Sequence, residues 1–384
     1  MKLRPDIEAF AQELTDWRRD IHRHPELGYK ETRTSGLVAE RLEAFGIEVH
    51  RGLGGTGVVG VLHGSLGDGP SVGLRADMDA LPMDEAGVAE HRSTVDGVFH
   101  GCGHDGHTTM LLGAARSLAA SRAFKGTVNF IFQPAEEGLA GARAMMEDGL
   151  FDRFPCDEVY GMHNWPQLEL GTASIRPGPV MAASDRIEIE VKGRGAHAAM
   201  PHRGVDPIAV SAHIITALQT LVSRGTDPQD AAVVSITAVN AGSTFNVIPH
   251  TARLLGTCRT FRPGTRDRLE AEIERVAVGV AAALGATAEV TYTRGYPPTV
   301  NHPGPTGRFA QAATAFLGAG AVSDDADPSM GGEDFAFMLE EVPGSYLWLG
   351  QGGDFDLHHP QYDFNDVLLP VGASLWVELV EGPR

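Results

Sequence analysis

Histidine, cysteine and carboxylate residues gather in four short stretches of this chain, each beside a segment that reads as a β-strand. The first is GCGHDGHT, residues 101–108, where one residue separates Cys102 from His104. The surrounding glycines let the backbone fold tightly. A thiolate and an imidazole at this spacing could face one metal ion, and both suit zinc and similar ions. A buried thiol and a capping histidine are the plainer alternative. The second stretch is QPAEEG, residues 133–138. Glu136 and Glu137 would diverge if strand geometry persisted through them, so one could ligate a metal while the other moves protons. Two acidic residues also suit a helix N-terminus. The third, GMHNWP (161–166), puts His163 at a strand end, where a structural role is common. The fourth, LHHPQYDFND (357–366), holds adjacent His358 and His359, one of which could ligate while the other meets solvent or backbone.

Jointly these stretches say more than singly. One thiolate bridging two divalent ions, with two further ligands on each, needs five groups, and Cys102, His104, Glu137, His163 and His358 supply them. Glu136 remains as an unbound base. The corresponding chemistry is hydrolysis by a metal-activated water, with a carboxylate carrying its proton. A metal-free alternative uses Cys102 as nucleophile and His104 or His107 as base, but it leaves Glu137, His163 and His358 without a purpose. A non-catalytic binding protein on an inherited fold is a third reading.

The intervening sequence must position these groups. Residues 6–23 carry Ile7, Phe10, Leu14, Trp17 and Ile21 at spacings of three and four, as an amphipathic helix does. A second helix over 35–45 ends at Gly46. Strands are expected from Val58 on and over 71–79, 126–134 and 156–164, with helices over 111–121 and 141–150. That alternation predicts an α/β sheet covered by helices, with the reactive stretches at strand ends, where such sheets bind ligands. The pattern changes near Ala183. Residues 185–192 alternate polar and apolar, followed by a helix over 206–224, strands over 231–240 and 250–261, a helix over 266–284 and a strand over 287–294. This βαββαβ order is that of a ferredoxin-like unit. Gly295-Tyr296-Pro297-Pro298 ends it, and α/β character returns with SYLWLG at 345–350. The expectation is a discontinuous catalytic domain, 1–183 plus 295–384, with 184–294 inserted.

Bulk properties agree. A chain of 384 residues exceeds one ordinary core. Its 42% hydrophobic and 21% charged residues are those of a globular protein. A net charge of −19 repels phosphate backbones, so nucleic acid is not an expected partner. Three cysteines do not make a disulfide framework. The first twenty residues lack the apolar core of a signal peptide, and no stretch reaches the ~18 apolar residues of a spanning helix. A cytoplasmic protein without a membrane partner is expected.

RRDIHRHPELGYKE (18–31), RADMDALP (75–82), CGHDGHT (102–108), FQPAEEG (132–138), GMHNWP (161–166), GRGAHAAMP (193–201), TFNVIP (244–249), GTCRTF (256–261), MGGEDFA (330–336) and LHHPQYDFND (357–366) stand in an order that resembles the M20 metallopeptidase-type amidohydrolases. The branch is that of hippurate hydrolases, N-acyl-amino-acid amidohydrolases and plant auxin-conjugate hydrolases, and the likeness spans nearly the whole chain. It implies a zinc-peptidase-like catalytic domain with an inserted ferredoxin-like α+β lid that also dimerises. The implied activity is cleavage of the amide in an N-acyl amino acid, hippurate-like or N-acetylated. A dipeptidase or an N-acetyl-diaminopimelate deacetylase on the same site is the alternative. By the same resemblance Cys102 bridges two divalent ions, zinc or manganese ahead of cobalt or nickel. Glu137 and His358 complete one ion's site, and His104 and His163 complete the other's. Glu136 is the general base. His197 on the lid serves the partner subunit's site in a homodimer or dimer-based homotetramer. Asn246 and Arg259 meet the carboxylate end of the substrate. Within MGGEDFA, the backbone of Gly331 or Gly332 could contact substrate, or the stretch could be a tight turn into a helix. The chain departs from the wider superfamily at Asp77-Met78-Asp79, where many relatives carry His-x-Asp. Asp79 is then expected to orient a ligand or to cap a turn, and His22 and His24 to pack.

Overall fold

The computed structural model describes residues 3–325 and 327–382. By Cα proximity the chain divides into two units, one of Met1–Val180, Val300–Asp327 and Asp334–Arg384, the other of Met181–Thr299 and Pro328–Glu333. The short segment Pro328–Glu333, which carries Gly331, groups with the second unit although the sequence order places it with the first. The cause is local pairing: Met181 bridges Ser329 in parallel, and the Ala182 N–H meets the carbonyls of Ser329 and Gly331.

The first unit is built on an eight-stranded sheet. Its order is Glu48–Leu53, Gly57–His63, Thr127–Gln133, Ser71–Asp77, Glu158–Trp165, Gly344–Gly350, Ala173–Ser174 and Val322–Ser323. The strands Thr127–Gln133, Ser71–Asp77, Glu158–Trp165 and Gly344–Gly350 run parallel, so their carboxyl ends share one edge. Being covered on both faces, they read as near-continuous apolar runs. Leu74, Ala76, Phe130, Phe132, Met162 and Leu347 pack into one core with Leu111 and Leu118 of helix His104–Ser121 and with Trp376 of helix Leu368–Glu381. Side chains alternate across a strand, so Arg75, Asp77, Gln133 and His163 point to the opposite face.

Three details differ from the periodic reading. The N-terminal helix is two pieces, Pro5–Glu8 and Ala11–Arg23, broken at Phe10, whose backbone leaves the helical region. The helix placed over 111–121 begins at His104, so the second half of GCGHDGHT is its first turn rather than a loop before it. The strand ending at 164 runs to Trp165, so His163 sits inside it.

The second unit holds a four-stranded antiparallel sheet, ordered Ala232–Ala241, Thr251–Thr260, Ala183–Lys192 and Thr287–Tyr296. Helices Pro207–Ser223 and Pro263–Ala283 cover it. Asp206 caps the first of these by accepting the Ile208 N–H, with Pro207 at the first helical position. Ile187, Ile189 and Val191 face Ile214, Leu218, Leu269 and Ile273 in a separate core. A two-stranded ribbon, Ala196–His197 against Val247–Ile248, extends the unit; pairs this short carry no periodic signal.

Candidate metal centre

The carboxyl edge of the parallel strands gathers the predicted ligands of the first unit. Gly103 precedes the helix at φ 91°, and a Cβ there would collide with Asn164 Oδ1 and Tyr362 O–H. Only glycine fits, and the tight turn sets Cys102 and His104 on the same site. Ligand atoms of Cys102, His104 and His163 lie within 4.8 Å of one another, and so do those of Cys102, Glu137 and His358. Five residues thus form two trios that share one sulfur. Cys102, His104 and His163 are buried, Glu137 is half-buried, and His358 is 52% exposed.

The polar accounting around these atoms calls for a cation. His104 Nε2 and Glu137 Oε1 are buried without a hydrogen-bond partner, and such groups are costly unless something meets them. His358 Nε2 stands 3.3 Å from Glu137 Oε1 and His104 Nε2 stands 4.0 Å from it, yet neither pair has hydrogen-bond geometry. The other ring nitrogens are spent on orientation. His104 Nδ1 lies 2.9 Å from the Asp79 carbonyl and 3.2 Å from Asp79 Oδ1, and His163 Nδ1 lies 2.7 Å from the Asn164 carbonyl. Each arrangement holds Nδ1 as donor and turns Nε2 inward, as metal-binding histidines do. A thiolate, three imidazoles and a carboxylate are a donor set for zinc or a similar ion.

Charge balance points the same way. Burial works against a charge on His104, but Asp77, Asp79 and Glu137 outweigh it and lift its pKa to about 10. Burial, then Glu137, Glu136 and Asp77, push the Cys102 thiol well above its ordinary value. Burial and His107 keep His163 well below the usual imidazole range, hence neutral. The site therefore draws positive charge, and a divalent ion would deprotonate the thiol that the carboxylates otherwise hold protonated. The same facts weigh against a free thiolate nucleophile, which needs a lowered pKa. The nitrogen 3.4 Å from Cys102 Sγ belongs to His163, a poor base. His107 is engaged at both ring nitrogens, 2.6 Å from Asp77 Oδ1 and 2.6 Å from Asn164 Oδ1.

Glu136 is buried, and its Oε1 accepts the Asp334 N–H at 3.3 Å. Its carboxylate belongs to a compact trio with His104 and Glu137. Strand geometry does not persist through the pair. Ala135 and Ala140 sit at φ 54° and 58°, bracketing a turn over Glu136–Leu139. An alanine in the left-handed region costs about 1–2 kcal/mol, so neighbours must hold this turn. Asp79 does so: its Oδ1 accepts the Glu136 N–H and its Oδ2 the Glu137 N–H, both at 3.0 Å. Asp79 thus both caps the turn and orients His104, joining the two roles that the sequence left open. Burial opposes a charge on Asp77, but Arg75, His104 and His107 hold its carboxyl well below the usual range. His22 does not ligate: its Nδ1 pairs with Asp105 Oδ2 at 2.8 Å beneath the first turn of the ligand-bearing helix. The sequence reading named Asp77 and His107 but not their pairing with each other, and it gave Asp334 no part in the site. Their partners lie far along the chain, and only the crowding of polar residues inside apolar strands marks them.

The second unit carries the remaining candidates. His197 is exposed on the ribbon opposite Val247. Its Nδ1 accepts the Ala199 N–H at 3.1 Å, which leaves the proton on Nε2 and makes that nitrogen a donor. Asn246 is exposed, and its carbonyl accepts the Ala198 N–H at 3.0 Å. Arg259 lies opposite Ser184, half-buried, and burial lowers its pKa. Gly331 is occupied: its N–H meets Ser329 Oγ at 3.1 Å and its carbonyl accepts the Ala182 N–H at 2.9 Å. The expected substrate contact from its backbone therefore has no free donor.

Comparison with known proteins bears on the whole chain. The chain is 43% identical to an N-acetylcysteine deacetylase of Bacillus subtilis over 97% of both sequences. It is 42% identical to a hippurate hydrolase of Campylobacter jejuni, covering 99% of this chain and 98% of that one. Among solved structures it resembles a dinuclear metal-binding peptidase of the M20 family from Bacillus subtilis, with a TM-score of 0.85, 39% identity and coverage of 97% and 98%. The profile of peptidase family M20/M25/M40 matches residues 73–382, and the chain belongs to that family.

Proposed function

We propose that this protein is a metal-dependent amidohydrolase that cleaves the amide of an N-acyl amino acid to a carboxylate and a free amino acid. The observation that carries this reading is the pair of trios sharing Cys102, with His104 Nε2 and Glu137 Oε1 buried and unpartnered between them. Relatives named for hippurate hydrolysis and N-acetylcysteine deacetylation support the substrate class, and the dinuclear neighbour supports a two-ion site. Cys102 would bridge the ions, with His104 and His163 on one and Glu137 and His358 on the other. Bound divalent ions supply a polarised carbonyl and a water acidified toward neutrality. The thiolate and imidazole donors favour zinc, with manganese, cobalt and nickel as the other ions to test.

This chain's own residues do the rest. Glu136 takes a proton on its carboxylate as water attacks, and returns it to the leaving amine. The Asp334 N–H steadies that carboxylate. His197 donates from Nε2 to the developing oxyanion, serving a second copy of the chain. Arg259 and Asn246 receive the carboxylate end of the substrate. The βαββαβ order of the second unit supports its reading as a ferredoxin-like lid that carries these groups and dimerises.

The test is apo protein reconstituted in turn with zinc, manganese, cobalt and nickel, assayed on benzoyl-glycine, N-acetyl amino acids, N-acetyl-diaminopimelate and dipeptides. Hydrolysis of N-acyl amino acids that requires metal is expected. Activity surviving complete metal removal would favour the thiol reading. No hydrolysis of any compound by metal-loaded protein would favour a binding protein.

A further inference from the structure

The segment RRDIHRHPELGYKE ends in residues that belong to no ligand set, and the structure gives them a task. Glu31 is fully buried. Its Oε1 accepts the Ala135 N–H at 2.8 Å, and its Oε2 accepts the Thr56 hydroxyl at 2.6 Å. Tyr29 has φ 62°, the left-handed region, and its hydroxyl donates to the Leu139 carbonyl at 2.9 Å. Gly28 lies so close beneath the same turn that a Cβ would come within 2.8 Å of Leu139 Cδ1 and 3.1 Å of Ala135 Cα. Ahead of them Leu27 bridges Ala80, and the Glu26 carbonyl accepts the Ala80 N–H at 2.9 Å. Residues 26–31 therefore run between the turn over Glu136–Leu139 and the loop that carries Asp79.

That turn is strained at both ends, at Ala135 and Ala140, and neither is glycine. Such a conformation persists only where its surroundings over-determine it. Asp79 holds the middle, through the Glu136 and Glu137 N–H groups. Glu31 holds the entry and Tyr29 holds the exit. Without them Ala135 would relax toward an ordinary conformation and turn the Cα–Cβ bonds of both glutamates away from their present directions.

We infer that Glu31 and Tyr29 are positioning residues that fix the strained turn carrying Glu136 and Glu137, and so set both the proton-moving carboxylate and one metal ligand. This rests on the roles proposed above for those two glutamates. Neither residue belongs to either candidate ligand trio. Because Glu137 completes only one of the two ion sites, loosening the turn would weaken one binding step and spare the other.

The experiment compares wild type with Glu31→Ala, Glu31→Gln and Tyr29→Phe as full chains. Cobalt titration by absorbance against a competing chelator reads metal binding, and benzoyl-glycine hydrolysis reads kcat and KM. Glu31→Ala should lower kcat at least about tenfold, the scale of a small misplacement of reacting groups. KM should stay within about threefold of wild type, and one cobalt step alone should weaken. Glu31→Gln keeps a carbonyl oxygen for the Ala135 N–H and should recover most of the rate. Tyr29→Phe removes one hydrogen bond and should lower kcat by about threefold to tenfold. A kcat within about twofold of wild type in Glu31→Ala overturns the inference, as does a loss confined to KM. Should Glu31→Ala fail to fold, the same two outcomes in Tyr29→Phe overturn it. A wild-type protein that neither binds cobalt nor hydrolyses benzoyl-glycine brings down the functional reading and this inference together.

Discussion

The two units hold their candidate residues in opposite ways. In the first, Cys102, His104 and His163 are buried, and each histidine is oriented through Nδ1 by an oxygen of Asp79 or Asn164. The strained turn of Glu136 and Glu137 is gripped from several sides. In the second, His197 and Asn246 stand exposed on a ribbon of two-residue strands beside Phe245, which is 97% exposed. Arg259 makes no side-chain hydrogen bond or ion pair among the described residues. The lesson is a division of labour. The groups proposed to bind metal and move protons are set in advance, where reorganisation would cost rate, whereas those proposed to meet substrate stand more exposed and are held by fewer bonds, one from the Ala199 N–H to His197 and one from the Thr244 hydroxyl to Asn246.

Substitutions can break or sharpen that contrast. The largest effect is expected from Glu136→Gln, which removes the base yet keeps the ligands. The rate should fall by about 10²–10⁴ with metal content by elemental analysis unchanged; loss of metal would instead make Glu136 a ligand. Next comes His197→Ala, with kcat lower by about 10²–10³, the worth of an oxyanion donor, and an unchanged cobalt spectrum. A spectral change would mean that the second unit contributes to the preset part of the site. Arg259→Ala should raise KM about tenfold to a hundredfold, as loss of a charged hydrogen bond does, with kcat little altered; steady-state kinetics on benzoyl-glycine separates the two.

The smallest effect concerns stability. Burial works against a charge on His22, but Asp105 and Glu85 outweigh it and lift its pKa to about 9, from an ordinary value of 6.5. Arg18, His91 and His100 also face it. A raised pKa contributes stability that is fully present below about pH 6.5 and lost as pH rises through about 9. At most this is about 3 kcal/mol. The Tm of wild type should decline between pH 7 and 9.5, and that of His22→Gln should start lower and change less. Equal slopes by differential scanning calorimetry would remove His22 from the account.

Most of the frame of the preset site was legible in the sequence. Apolar runs ending in QPAEEG and GMHNWP, and GCGHDGHT placed before a helix, announce an α/β sheet with reactive strand ends, and all five ligand candidates come together there. Its fine structure was not legible. The helix start at His104 depends on Gly103 fitting against Asn164 and Tyr362. Asp79 reads as a strand-end carboxylate until the Glu136 and Glu137 N–H groups are seen to reach it. Glu31 reads as the tail of a Pro turn because its partner Ala135 is remote in sequence. Periodicity reports which face a residue occupies, and it is silent on which distant backbone group a buried carboxylate will meet. In the second unit, regular strands and helices were read to within a few residues, but the ribbon bearing His197 was too short to leave a pattern.

Arg18, buried beside His22, binds Asp363 and Asp366, and its bond to Asp366 joins residues 348 positions apart. On the ribosome this gives synthesis a sequence of events. Cys102, His104, Glu137 and His163 all emerge before the inserted unit has been made, while His358 and the anchors of Arg18 come last. A nascent chain would hold one trio long before it could complete the other. Full metal loading therefore waits until the C-terminal segment closes on the first helices, so a chain truncated before His358 should bind one equivalent of metal by elemental analysis and not two.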